Sequence, residues 1–109
     1  MKHLNNFGGC VVSNNIINKK GMLKWCVREP SLNQVDNGWR FFSDIDTEDF
    51  LNDAKNMSIW NFESIVEIEP AILGIYNMPI GTDITLMHKG KKKFFIDTET
   101  GEEVRGTEE

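Results

Sequence analysis

Asp36-Asn37-Gly38-Trp39-Arg40-Phe41-Phe42, DNGWRFF, is the stretch on which the fold turns. Asn-Gly is a strong turn signal, because both residues tolerate positive φ. It runs directly into three aromatics with an arginine between them. Alternation puts Trp39 and Phe41 on one face of a strand and Arg40 and Phe42 on the other. Apolar residues on both sides describe a strand covered, at least in part, on both faces. The expected unit is a turn at Asn37-Gly38 that launches a strand over residues 39–43.

Upstream, Cys10-Val11-Val12 reads as a short strand, followed by turn formers at Ser13–Asn15 and Asn18–Gly21. Met22–Arg28 is the next strand, with Leu23, Trp25 and Val27 sharing a face. A hairpin of these two strands sets Cys10 nearly opposite Cys26. Pro30 ends the strand, and a polar loop fills residues 31–38.

Downstream, Asp46 or Thr47 caps a helix whose first turn carries Glu48 and Asp49. Phe50, Leu51, Ala54 and Met57 follow at helical spacing. Asn61 caps a second helix through Phe62, Ile65, Val66 and Ile68, and Pro70–Tyr76 forms a third, with proline in its tolerated first turn. Asp83–His88 and Lys92–Ile96 make a terminal hairpin through Lys89-Gly90.

The pattern βββ-ααα-ββ is α+β. The expected fold is one small domain over residues 1–109, with an ordered core at about 9–97 and frayed ends at 1–7 and 102–109. It has a mostly antiparallel sheet of about five strands, with two or three short helices packed on one face.

Hydrophobic residues make up 39% of the 109 residues, enough for one core without disulfides or a metal. Apolar runs fall far short of the roughly 20 residues that span a bilayer, and the first residues lack the apolar core of a secretory signal. A cytoplasmic location and no membrane partner are the expectation. The net charge of −5 argues against nucleic acid as a partner and favours encounter with a basic one. The basic run Lys89–Lys93 reads as a solvated hairpin tip.

The chemistry-bearing residues fail the common templates. Cys10 and Cys26 sit in apolar strand patterns and, with His3 and His88, lack the spacing of a zinc site. The acids at 44–49 do not fit a calcium loop: counted from Asp44, Asp49 occupies the glycine position and Lys55 the last ligand. No glycine pattern matches a phosphate cradle. No cofactor, metal or catalytic residue is expected, and the chain reads as a non-enzyme. What remains is Trp25, Trp39 and Trp60 as core residues or binding anchors. Arg28 and Arg40 flank the aromatics, where they hold either a partner's carboxylate or local acids such as Glu29 and Asp36.

At Arg28-Glu29-Pro30, Asp36–Phe42, the acid-rich helix start, and Glu69-Pro70 with Pro79–Thr82, the chain resembles a family of small bacterial proteins. It is the family of unknown function numbered 2185, overlapping the immunity protein 33-like group. The resemblance covers residues 9–97. That family commonly has Asp-Ser-Gly-Trp where Asp36-Asn37-Gly38-Trp39 stands, and tends to have glycine where Asp44-Ile45-Asp46 stands. It has no established catalytic residues. The resemblance implies a cytosolic α+β domain, in some cases the protective partner of a polymorphic toxin. Two functional expectations follow. One is a protein-binding immunity domain contacting a toxin or other basic protein through Arg28, Glu29, Asp36, Trp39 and Arg40. The other is a small-molecule-binding or regulatory domain with a pocket near Arg28, Asp36 and Trp39.

Overall fold

A computed structural model describes residues 7–104. One seven-stranded sheet organises them: β1 (Gly9–Ser13), β2 (Leu23–Arg28), β3 (Asp36–Ser43), β4 (Met57–Asn61), β5 (Asp83–Lys89), β6 (Lys92–Asp97) and β7 (Glu103–Val104). Their spatial order is β4-β1-β3-β2-β5-β6-β7. β1 and β3 run parallel and every other neighbouring pair is antiparallel. The α+β class stands. The sheet has seven strands where about five were expected, and it is mixed.

β3 takes a central place because its side chains are apolar on both faces, and a strand with two apolar faces is best buried between neighbours. It slots between β1 and β2, which corrects the expected β1–β2 hairpin. The connection from β1 to β2 is no tight turn. It contains helix α1 (Asn14–Ile17), capped by Ser13 and holding Ile16 in the core. That length lets the chain step over the space of one strand, roughly 10 Å from β1 to β2. Cys10 therefore pairs with Trp60 and Cys26 with Phe41, so the two thiols do not face each other.

β4 is the second correction. The helical spacing through Met57 does not survive, because helix α2 (Glu48–Leu51) ends at Asn52. Thr47 Oγ1 caps α2 by accepting from Phe50 N at 3.1 Å. A 3₁₀ turn at Ala54–Asn56, capped by Asp53, then redirects the chain. The β-branched and aromatic Ile59 and Trp60 follow, suiting an extended strand along the open side of β1.

Alternation is interrupted within β2. The register shifts between Leu23 and Trp25, so Leu23 turns inward with Cys26 while Trp25 and Val27 face out. The inner face carries Val12, Cys26, Trp39, Phe41, Ile84 and Leu86. Phe62 and Ile65 of helix α3 (Phe62–Ile68) cover it, with Ile72 and Ile75 of the 3₁₀ helix Pro70–Ile75. Each such side chain, fully buried, contributes about 1.5–3 kcal/mol. The buried residues of α1, α3 and the 3₁₀ helix all join this one core, while α2 buries none.

The C-terminal hairpin forms as read, with Gly90 at φ +62 in its turn. Phe7 lies in the stretch expected to fray, yet its ring packs 4.7 Å from Tyr76 and 5.8 Å from Phe62. Glu103–Val104, also in a stretch expected to fray, adds a last short strand. Residues 1–6 and 105–109 lie outside the described residues.

Candidate functional site

The DNGWR segment is a bulge inside the central strand, and its turn chemistry is what makes the bulge. Gly9 pairs with Asp36 but Val11 pairs with Arg40, so β3 carries extra residues between them. Asp36 Oδ1 accepts from Gly38 N at 2.9 Å, and Asn37 Oδ1 accepts from Trp39 N at 2.8 Å. These side chains supply the hydrogen bonds that the displaced ladder cannot. Gly38 supplies the backbone, at φ +90.

Arg40 points to the outer face and is nonetheless buried. Its Nη1 and Nη2 each donate to Asp36 at 2.9 Å, a forked pair, and its Nε donates to Glu29 at 3.2 Å. Asp36 also accepts from Leu32 N at 2.8 Å, which fastens the 31–36 loop to the strand. The Arg40 hydrogen bond, aided by the Leu32 and Gly38 amides, holds the Asp36 carboxyl well below its usual range against the opposing effect of burial. The same contact with Asp36 raises Arg40 further. Asp46 behaves alike: burial pushes its carboxyl up, but bonds from Ser43, Asn15 and Ser13 outweigh this and lower it.

A carboxyl depressed in the folded state stabilises the fold above its unfolded pKa of about 3.9. That contribution is lost as pH falls through the folded value. Thermal stability is therefore expected to drop steeply below about pH 4. Asp36→Asn should lower stability at neutral pH and flatten that acid slope. A melting series from pH 6 to pH 2 checks it; an unchanged slope in the variant counts against the linkage.

The five residues singled out from sequence do come together, but chiefly through contacts within the chain. Arg28 Nε donates to Asn37 O at 2.9 Å, and its Nη1 donates to Met78 O at 2.7 Å. Its guanidinium lies 5.7 Å from the Trp39 ring and 5.9 Å from the Tyr76 ring, clamping the helical layer to β3. Trp39 is fully buried and offers no surface to a partner. Glu29 keeps a side chain 60% exposed. Arg28 lines a groove with Trp25 and Val27, and Asp36 borders a different one beside β1.

That first groove is the feature sequence reading missed. Pairing places Val27 beside Arg40, Trp25 beside Phe42 and Thr85, and Met87 beside Phe94, all facing outward. Trp25 and Phe42 pack at 4.8 Å, and Trp25 Nε1 donates to Asp83 Oδ1 at 2.6 Å. Glu29 and Asp83 edge the groove. The result is a half-exposed aromatic floor with an acidic border. Trp25 was readable as an aromatic of interest; only the β2 bulge shows that it faces away from the core.

The thiols have no nucleophilic setting. Burial pushes Cys10 up to about 12 and Cys26 well above the ordinary thiol value. Cys10 Sγ donates to Trp60 O at 3.5 Å. Among the described residues, no group of three or more His, Cys, Asp and Glu is arranged to hold a metal. His88 is exposed next to the hairpin tip, and Lys93 in that basic run is paired with Glu69 at 2.9 Å. No described helix is long and apolar enough to cross a membrane.

The family model of the immunity protein Imm33 domain matches residues 10–96, from β1 through β6. No curated protein and no solved structure matches the chain. With the match spanning most of its length, the chain belongs to the Imm33 immunity-protein family. The match carries the immunity-protein side of the resemblance drawn from its residues; the number 2185 is not part of it.

Proposed function

We propose that this Imm33 domain is a non-catalytic bacterial protein that acts in the cytoplasm and neutralises a cognate toxin by covering it. The contact surface in this reading is the outer face of the sheet, with Trp25, Val27 and Phe42 as its apolar centre and Glu29 and Asp83 at its border. The observation that carries it is the half-exposed aromatic floor of Trp25 and Phe42 on the outer face. Tryptophan is a common binding anchor, because a rigid ring contributes a large contact area at small entropic cost. Acidic border groups on a chain of net charge −5 would steer a basic toxin toward that face. Asp36 and Arg40 take the part of a rigid support that holds Glu29 and the groove wall in place.

Occlusion needs no chemistry from the protein, only a surface that does not have to rearrange. The test is co-expression with the cognate toxin, scored by growth and by capture of the pair. Trp25→Ala is expected to weaken capture by about 30-fold or more, the scale of a hot-spot loss. Glu29→Lys is expected mainly to slow association and lower its salt dependence. Both variants should remain folded by circular dichroism. Full protection by the Trp25→Ala, Glu29→Lys double variant would move the contact surface elsewhere.

A further inference from the structure

We propose that the chain forms a two-fold dimer by pairing β4 with β4 of a second copy. This goes beyond the toxin reading and does not rest on it. β4 stands at one end of the sheet, and among the described residues nothing pairs with its outer side. The opposite end is closed by β7, only two residues long and carrying Glu103. Edge strands are ordinarily protected by charge, proline, a bulge or extreme shortness. Met57-Ser58-Ile59-Trp60-Asn61 has none of these.

The hydrogen-bonding groups left on β4 are self-complementary. Phe62 N donates to Gly8 O at 2.9 Å, continuing the pairing of Asn61 with Gly9. Alternation then turns the main-chain groups of Ser58 and Trp60 toward β1 and those of Met57, Ile59 and Asn61 outward. Met57 N–H is already spent on Ala54 O. Asn61, at the start of α3, gives its carbonyl to the helix. What remains runs acceptor at Met57, donor and acceptor at Ile59, donor at Asn61. An antiparallel second copy presents the same series reversed, so every donor meets an acceptor with Ile59 on the dyad.

The side chains support the same contact. Ile59 is 78% exposed, and Leu32 and Val35, 79% and 70% exposed, share a hollow with it beside β1. Across a dyad at Ile59 the two isoleucines become cross-strand neighbours on the outer face. Trp60, 38% exposed, adds contact on the other face. A five-residue edge with these flanks buries less than the roughly 1,200–2,000 Å² of a standard interface. The dimer is therefore concentration-dependent.

Sedimentation of the purified full chain, from micromolar to submillimolar concentration, should show reversible monomer–dimer exchange. Ile59→Lys places like charges against each other across the dyad and should raise the dimer dissociation constant about tenfold or more. Ile59→Pro removes only an outward N–H, which an edge strand tolerates, and should give a folded monomer. In Ile59→Cys, mild oxidation should trap a covalent dimer, since Cys10 and Cys26 are buried and unreactive. A chain that stays monomeric at all concentrations overturns the proposal. So does a dimer that persists unchanged in both Ile59→Lys and Ile59→Pro, or an Ile59→Cys variant that fails to cross-link. No toxin enters these measurements, so their failure leaves the toxin reading standing.

Discussion

Gly38→Ala should cost about 4 kcal/mol or more of folding stability, through strain at positive φ and a backbone collision together. At φ +90 an L side chain is strained on its own, typically by about 1–3 kcal/mol. Here a Cβ would also run into the carbonyl oxygen of Glu29 and press on Arg28 Cγ at 3.3 Å. The neighbour is backbone of the residue that follows β2, so relief means parting the end of β2 from β3. That movement breaks the bond from Glu29 N to Gly38 O, now 2.8 Å, and loosens the Arg40–Glu29 contact. Domains of this size hold about 5–15 kcal/mol in total, so much of the variant is expected to be unfolded at 37 °C. Gly38→Asn should fare no better, because the collision is with Cβ itself. Urea unfolding midpoints decide the matter. A loss below about 1 kcal/mol would mean that the bulge relaxes freely and its conformation is not required.

Trp39→Ala is expected to cost about 3–5 kcal/mol, as for other large truncations in a core. The ring is fully buried and stacks nearly parallel to Phe41, 5.9 Å between centroids. Its Nε1 donates to Tyr76 O at 3.1 Å, and the Arg28 guanidinium lies over its face. Truncation opens a void beneath Arg28 and unties the 3₁₀ helix from β3. Trp39→Phe keeps most of the volume and should recover part of the loss. Trp25→Ala, on the outer face, should cost far less stability while affecting capture of a partner. If Trp39→Ala instead left the unfolding midpoint unchanged and abolished toxin binding, the assignment of the two tryptophans would have to be exchanged.

That contrast shows where sequence reading carries and where it stops. Trp39 and Phe41 packing inward followed from alternation, since two large aromatics two residues apart fix which side of β3 meets the core. Phe62 and Ile65 followed from helical spacing, and the terminal hairpin from Lys89-Gly90. Leu23 and Trp25 were placed on one face by the same rule and are not, because one register shift reverses alternation and leaves no compositional trace. β4 was hidden for a different reason: Met57 completes a helical pattern with Phe50 and Ala54, and only the capping at Asp53 ends it. Strand order was beyond local signals altogether, since no local signal in DNGWRFF shows that β1 and β2 leave a gap for it. For the site, Arg28, Glu29, Asp36, Trp39 and Arg40 were legible as a cluster. Their direction was not, because an arginine at a strand end looks the same whether it reaches for a partner or for its own aspartate.

The position of β1 has a consequence for timing. Its two neighbours are β3 and β4, and the second is complete only at Asn61. During synthesis β2 and β3 can close on each other early, since they are consecutive and antiparallel. Residues 9–13 can dock along one side of β3 at that stage, but nothing holds their other side until residues 57–61 have been made. Pairing across such separations is what slows folding, typically to milliseconds or longer. The first of the described strands is thus among the last to be secured, a delay written into the order of the strands.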